Sequence, residues 1–301
     1  TWNVAGRVKG IEPQIDAVTA EEWDVVCLQE LTPTTIERWS EALTAAGLNV
    51  AVSALEPGAS GSRRLAVAIA SRAPLAVVDD GVAPQTMYAW FFECNNLVSV
   101  NLSKLDTSKT TSLEYAFSRC TSLTDLDLSA LDTSFVRSFA DVFQDCSSIR
   151  SVNLTGWDTS SGKDFRQMFY RCSSLEEVDI SSFETSASTS FEQMFYGCSS
   201  LRSLDLSHFD TGNATTFASM FYNCASLATL DVSMFNTAAA TDLSQVFYGC
   251  KSLTELDLSR ASTAKVQTFY GMFSGCSGLK RIDLSLLDTS SATNLSYLFA
   301  D

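Results

Sequence analysis

The sequence predicts an α/β fold: a parallel solenoid of eight 26-residue units, preceded by a small, incomplete α/β segment. Three observations support this prediction. Eight of the nine cysteines recur at a constant interval, at positions 94, 120, 146, 172, 198, 224, 250 and 276. Each interval contains a short alternating pattern typical of a strand, followed by apolar residues at helical spacing. All five prolines lie at or before Pro84, as expected if the later strands donate every backbone N–H to a neighbour.

The change in composition near residue 80 divides the chain into three parts. Residues 1–78 form the α/β segment, residues 79–93 a linker with a half-repeat, and residues 94–301 the repeats. The chain starts with Thr1 and ends just before the next expected cysteine. We therefore expect it to be a fragment of a longer array.

The formal charge of −15 excludes some classes of function. Non-specific nucleic-acid binding requires Lys and Arg to neutralise phosphates, so we expect no nucleic-acid partner. The sequence has no apolar run long enough to cross a bilayer, and we expect no membrane span. A mechanism that needs two histidines is excluded, because His208 is the only one.

The N-terminal segment contains four predicted strands and one predicted helix. The strands cover residues 1–4, 21–31, 48–54 and 63–72. The helix covers residues 32–47, where Pro33 suits the first helical turn and Gly47 the position after the end. The glycine-rich loop 56–62 lacks the lysine of a phosphate-binding loop and is predicted to be a hairpin connection.

One unit of the array shows how the repeats should fold. In LRSLDLS (201–207), Leu204 and Leu206 face one side and Asp205 the other, as in a half-buried strand. In TTFASMFYN (215–223), three apolar residues at i, i+3 and i+4 predict a two-turn helix. Neither element buries its apolar face alone, so successive units must stack, about 4.8 Å apart.

The cysteine column lies beside this apolar surface once in every unit. The spacing favours buried small hydrophobic residues rather than a disulfide framework. Neighbouring units still bring the cysteines within disulfide range, so oxidation is left open. The cysteine count therefore does not decide the redox compartment.

At the seventh position after each cysteine lies a column of acidic or amide residues, which we call the acidic ladder. Its aspartates are Asp127, Asp179, Asp205, Asp231, Asp257 and Asp283. Unit charges about 4.8 Å apart repel by about 1–3.5 kcal/mol, so the ladder needs compensation. Hydrogen bonds to the hydroxyl column two positions later, or to local backbone, are one explanation. Binding of cations or of a basic partner is the other.

A variable flank adjoins the ladder at positions 4, 5 and 10 of the unit. Its candidate binding residues are Arg150, Arg202, His208, Arg260, Lys280 and Arg281. Variation beside fixed columns indicates either neutral drift of a solvated face or the place where ligand specificity is determined. The position of His208 favours an exposed surface residue over a ligand or a base.

The pattern C-x-x-L-x-x-L-D-L-S-x-F-D-T-S, with F-x-x-M-F before the next cysteine, resembles the BspA-like leucine-rich-repeat surface proteins. This resemblance covers residues 87–301. It implies a curved parallel solenoid of the leucine-rich-repeat type, with surface adhesion or protein binding as the usual role. It also implies an extracellular or cell-surface location.

The segments T-W-N-V and D-V-V-C-L-Q-E resemble the start of the endonuclease/exonuclease/phosphatase (DNase I-like) family. The resemblance implies that Asn3 orients the site and that Glu30 binds Mg²⁺. The later Asp-x-Asn and Ser-Asp-His segments of that family have no counterpart after residue 78. With no histidine there to activate water, we expect no catalysis by this chain.

Two functional hypotheses follow. The first is a non-enzymatic interaction or adhesion protein without a cofactor, whose acidic face binds a protein or glycan, with a basic ligand favoured by the charge. The second is a truncated Mg²⁺-dependent phosphodiesterase whose repeats recruit a partner or substrate. The ligand and the oligomeric state are left open. Four potential N-glycosylation sites are compatible with an extracellular protein: Asn101, Asn153, Asn213 and Asn294.

Overall fold

The computed structural model describes most of the repeats and five short strands before them. The described residues are 2–3, 25–31, 49–52, 66–71, 75–76, 84–103, 105–258, 261–285 and 287–300. Among them, no helix is long and apolar enough to cross a bilayer.

The first four strands form one mixed sheet. They are β1 (Trp2–Asn3), β2 (Val25–Leu31), β3 (Asn49–Val52) and β4 (Ala66–Ser71), in the order β1-β2-β4-β3. Strand β1 runs parallel to β2, and β4 runs antiparallel to both β2 and β3. All four predicted strands are present. The predicted helix 32–47 and the predicted loop 56–62 lie outside the described residues.

A fifth strand connects this segment to the repeats. Strand β5 (Leu75–Ala76) pairs in parallel with β6 (Val100–Asn101), the first repeat strand. Met87 and Phe91, from the predicted half-repeat, are fully buried, and the Phe91 ring stacks on Phe117 at 5.0 Å. The half-repeat therefore forms the first layer of the repeat core, and β5 extends its strand column by one strand.

The remaining strands are short and have equivalent positions in their units. They are β7 (Asp125–Asp127), β8 (Ser151–Asn153), β9 (Ser203–Leu204), β10 (Thr229–Leu230), β11 (Glu255–Asp257) and β12 (Arg281–Asp283). The pairs β7–β8, β9–β10 and β11–β12 are parallel, and each residue lies opposite its equivalent in the next unit. As predicted, Leu204 and Leu206 are buried and Asp205 is exposed.

A second contact joins the units on another side of the solenoid. Isolated parallel bridges link eight equivalent residues in succession, namely Ser112, Ser138, Asp164, Ser190, Thr216, Asp242, Thr268 and Asn294. Successive units therefore pair through two separate backbone ladders. This is the architecture of a parallel solenoid.

The helix predicted in each unit is wrong, because in the described residues these segments are stacked tight turns. In the segment 215–223, Ser219 and Asn223 have left-handed backbones with φ of 54° and 55°. The amides of Ser219 and Phe221 donate to the carbonyls of Ser244 and Val246 in the next unit, at 2.8 and 2.9 Å. An α-helix would direct every amide to the residue four before it. Bonding between units thus replaces bonding within a helix, and the described repeats consist of strands and turns.

Stacked rings fill the core. One phenylalanine per unit, from Phe91 to Phe299, stacks on its equivalent in the next unit, with centroids 5.0–5.9 Å apart. Those from Phe91 to Phe273 are buried, whereas Phe299 is 52% exposed. Burial of each buried ring contributes about 1.5–3 kcal/mol relative to exposure. The three apolar residues that predicted a helix, Phe217, Met220 and Phe221, are all buried. The tight turns therefore bury the same residues that a helix would have buried.

The cysteine column is buried and reduced. All eight cysteines from Cys94 to Cys276 are buried thiols that form no disulfide. From Cys120 onwards, each Sγ donates to the carbonyl of a phenylalanine in the preceding unit, at 2.9–3.2 Å. Burial raises the thiol pKa, to about 12 at Cys146. The interpretation as buried small hydrophobic residues is confirmed.

Candidate functional site

The acidic ladder lies at the ends of the repeat strands, on one face of the solenoid. All six of its aspartates are exposed: Asp127, Asp179, Asp205, Asp231, Asp257 and Asp283. Each ladder aspartate follows a buried or half-buried residue, as Asp127 follows Leu126 in β7 and Asp257 follows Leu256 in β11. Strand alternation therefore fixes the direction of the whole column.

Local hydrogen bonds compensate the charge of the ladder. The Oδ1 of Asp205 accepts from the amide of Ser207 at 2.9 Å, and Oδ1 of Asp231 accepts from the amide of Ser233 at 2.9 Å. This is the Asx turn, in which a carboxylate bonds the backbone two positions on. Asp127 also receives bonds from the Ser129 hydroxyl and the Asn153 amide, at 2.7 and 3.0 Å. The first explanation offered by the sequence, compensation by hydroxyls and local backbone, is therefore present.

The same bonds keep the ladder ionised. Hydrogen bonds from the side chain and backbone of Ser233 lower the pKa of Asp231, and their effect exceeds the opposing repulsion from Asp257 and Asp205. The backbone and side chain of Ser207 likewise lower the pKa of Asp205. The ladder is thus a row of fixed negative charges at neutral pH.

An open groove runs across the ladder in the last four repeat strands. Its volume is about 1290 Å³, and its walls include Asp205, Asp231, Asp257 and Asp283. Lys280 and Arg281 line the same groove. The structure therefore brings four ladder residues and two variable-flank residues together on one surface.

The variable flank is partly neutralised by residues of neighbouring units. Arg202 Nη2 lies 3.1 Å from Glu176 Oε2, and Arg281 Nη2 lies 2.8 Å from Glu255 Oε2. Both pairs are exposed, so each is worth at most about 1 kcal/mol and can exchange for a ligand contact.

Three further flank positions were also predicted. The ring Nε2 of His208 lies 2.8 Å from the carbonyl oxygen of Ile180. His208 is half-buried rather than exposed as predicted, and this contact holds its ring against the preceding unit. Arg150 is exposed, whereas Arg260 lies outside the described residues.

The predicted magnesium residues lie on adjacent strands. Asn3 in β1 pairs with Gln29 of β2, the residue just before Glu30. Glu30 falls in the register irregularity between Leu28 and Leu31, where β2 shifts against β4. In the part of the chain that the structure describes, no cluster of three or more His, Cys, Asp or Glu side chains is arranged to hold a metal.

A buried threonine column has a structural role that the sequence did not reveal. Thr159 is fully buried, and its Oγ1 donates to the carbonyl of Glu184 at 2.9 Å and accepts from the amide of the same residue at 2.7 Å. Thr211 and Thr263 bridge the next unit in the same way. In these three units, the threonine hydroxyl at position 13 therefore joins one unit to the next.

A tyrosine ladder is a further feature absent from the sequence predictions. Tyr170, Tyr196, Tyr222 and Tyr248 stack face to face, with centroids 4.7, 4.4 and 4.5 Å apart. All four side chains are half-buried. The signal was visible in the sequence, because four consecutive units carry tyrosine two positions before the next cysteine.

Comparison with known protein families gives two matches. Residues 1–131 match the "Endonuclease/Exonuclease/phosphatase family". This match extends past residue 78, and its residues from 84 onwards form the first solenoid turns. No curated protein matches the chain.

Residues 85–204, 141–255 and 189–301 match "Mycoplasma protein of unknown function, DUF285". Both matches agree with the resemblances seen in the sequence. Since the three repeat matches together cover residues 85–301, the chain belongs to the DUF285 family.

Proposed function

We propose that this chain is a non-enzymatic binding protein whose acidic ladder takes a lysine- and arginine-rich segment of another protein. The observation that carries the proposal is the groove lined by Asp205, Asp231, Asp257 and Asp283. The carboxylates of Asp205, Asp231 and Asp283 are already held in Asx turns, so binding a cation does not require them to be reoriented. A preorganised row of like charges steers a partner of opposite charge and favours its binding.

The flank determines which basic segment fits. Lys280 and Arg281 lie at one end of the groove and repel positive charge there. At the opposite end, the groove is lined by ladder aspartates, and no lysine or arginine lies beside them among the groove residues. A basic segment therefore binds with its least charged end beside Arg281. By family resemblance, the partner is met outside the cell or at its surface.

Neutralising the ladder tests this function. The triple variant Asp205→Asn, Asp231→Asn, Asp257→Asn keeps the Oδ1 acceptor of the turn, and Asn101 and Asn153 already occupy this column. We expect the variant to fold normally and to bind a lysine-rich peptide at least tenfold more weakly in calorimetry. Binding by the parent chain should weaken with added salt. A polyglutamate peptide of equal length is the control ligand. Unchanged affinity of the triple variant for the lysine-rich peptide would refute the proposal.

A second candidate function is Mg²⁺-dependent phosphodiester hydrolysis. The match of residues 1–131 and the placement of Asn3 beside Gln29, next to Glu30, favour it. A carboxylate near a strand end suits a hard cation such as Mg²⁺. The only histidine, His208, lies in the repeats with its ring against the Ile180 carbonyl. We therefore prefer the binding function.

An activity assay separates the two candidates. Hydrolysis of bis(p-nitrophenyl) phosphate by the chain with Mg²⁺, abolished by Glu30→Ala but not by the triple ladder variant, would establish the enzyme. Equal background rates for the parent chain and Glu30→Ala are expected from the binding function.

A further inference from the structure

A second surface of the solenoid differs in chemistry from the acidic ladder. It is formed by the stacked turns 192–200, 218–226, 244–252 and 270–278, which we call the tyrosine face. In a chain of net charge −15, these turns contain one acid, Glu192, and one base, Lys251. The tyrosine face is therefore electrically neutral. Neither a strongly basic nor a strongly acidic partner would gain electrostatic attraction from this face.

The polar groups of this face are hydroxyls and amides. Tyr196, Tyr222 and Tyr248 lie in one row of stacked rings. Burial, followed by the neighbouring tyrosines, raises the pKa of Tyr222 to about 12, so this hydroxyl stays protonated and able to donate. Gln193 and Gln245 are half-buried beside it. Tyrosine, serine, glycine and amide residues are also the residues that dominate antibody binding loops, since they combine contact area with adaptable hydrogen bonding.

The two ends of the ladder differ. At one end, the guanidinium of Arg171 lies 5.1 Å from the centroid of the Tyr170 ring and covers it. At the other end, the unit after Tyr248 has Gly271 and Ser274 in place of another aromatic residue. Gly271 is close to the Tyr248 ring, since a Cβ atom on it would lie 3.7 Å from that ring. Tyr270 and Tyr297, in the last two units, have ring centroids 5.7 Å apart and are 37% and 65% exposed. This end thus offers aromatic surface for stacking.

The size of the face limits what it can hold. The face contains three rings of the tyrosine ladder, those of Tyr196, Tyr222 and Tyr248, which make a narrow strip with intervals of 4.4 and 4.5 Å. A stable protein interface needs about 800 Å² from each partner, far more than such a strip provides. A second copy of this acidic chain would also repel the first along its flanks. A thin, extended and uncharged ligand suits the strip better.

We propose that the tyrosine face binds a neutral polysaccharide lying along the tyrosine ladder. Sugar hydroxyls would exchange hydrogen bonds with the tyrosine row and with the amides of Gln193, Asn223 and Gln245. The apolar face of a sugar ring would stack beside Tyr248. This site is separate from the acidic ladder and does not depend on the function proposed for it.

The test uses the full chain and a neutral β-linked glucan, in affinity electrophoresis and in calorimetry with its hexasaccharide. The variant Tyr196→Ser, Tyr222→Ser, Tyr248→Ser should keep the fold, because Ser118 and Ser274 occupy this column in other units. We expect it to lose at least tenfold in affinity for the glucan while its circular dichroism spectrum is unchanged. The triple Asn variant of the acidic ladder should bind the glucan like the parent chain.

Three results would overturn the proposal. They are no retardation of the parent chain by the glucan, equal binding by the triple Ser variant, and equal binding of a polyanionic glycan such as hyaluronan. A milder set, Tyr196→Phe with Tyr222→Phe, keeps the stack and removes hydroxyls. It should bind the glucan more weakly than the parent chain, and unchanged binding would count against the hydrogen-bonding role.

Discussion

Replacing a bridging threonine with valine should expose what holds successive units together. Thr159→Val keeps the shape of the side chain but removes both hydrogen bonds to Glu184, of 2.9 and 2.7 Å. A buried backbone group that loses its hydrogen-bond partner destabilises the fold by about 1–3 kcal/mol. The Glu184 backbone is only partly shielded from water, so water can replace part of the lost bonding. We therefore expect a total destabilisation of about 1–3 kcal/mol.

The same column provides a matched control. Thr107 is 2% exposed, and its Oγ1 is buried without a hydrogen-bond partner in the described structure. Thr107→Val removes no bond and relieves a buried, unsatisfied hydroxyl. We expect it to be neutral or to stabilise the chain by up to about 1 kcal/mol.

Two assays measure the effect. Urea unfolding gives the change in midpoint, and amide hydrogen exchange at Glu184 reports the local change, since solenoid stability is a sum of unit and interface contributions. A loss of about 1 kcal/mol raises the exchange rate about fivefold. Equal effects of the two substitutions, or a neutral Thr159→Val, would refute the role given to the hydroxyl column.

Three further predictions follow from the titratable and turn residues. Burial raises the pKa of Asp141 to about 6. Between about pH 4 and 6, the folded state therefore keeps a proton on Asp141 that the unfolded state has lost. This group's contribution to the stability of the fold falls as the pH rises through that range. Asp141→Asn should therefore raise the melting temperature at pH 7 but not at pH 4 in calorimetry, and an equal rise at both would contradict this. The buried thiols from Cys120 to Cys250 should resist iodoacetamide at pH 8 until urea unfolds the chain, as mass spectrometry can show; rapid labelling of the native chain would disprove their burial. Asp231→Ala should lower the melting temperature more than Asp231→Asn, because only asparagine keeps the bond from the Ser233 amide; the reverse order would argue against the Asx turn.

The repeat period and the buried columns could be predicted because they are local properties of the unit. The alternation of Leu204, Asp205 and Leu206 determines which side chain is buried in any strand of that length. The turns of segment 215–223 could not be predicted in this way. Phe217, Met220 and Phe221 suit a helix and a stacked turn equally well, and the choice depends on whether the amides find acceptors within the segment or in the next unit.

The candidate sites also differ in how far the sequence alone could predict them. The acidic ladder could be predicted from its spacing, because one strand position per unit fixes one exposed column. Its compensation was left open between hydroxyls, backbone and ligand until the serine amides of positions 207 and 233 were seen to bond Asp205 and Asp231. The tyrosine ladder was present in the sequence as four equivalent tyrosines, but its significance depends on ring stacking and on the neutrality of the surrounding turns.

The sequence by itself determined that this is a parallel repeat array with a charged strand face, because one constant period repeated along the chain leaves no other way to bury one apolar stripe per unit. It also determined the relation to the two families. Only the tertiary structure decided that the units are built from strands and turns, that β5 joins the N-terminal segment to the first repeat strand, and that Thr159 and its equivalents bridge the units. These features depend on hydrogen bonds between residues about one period apart, and such bonds exist only after the units have stacked.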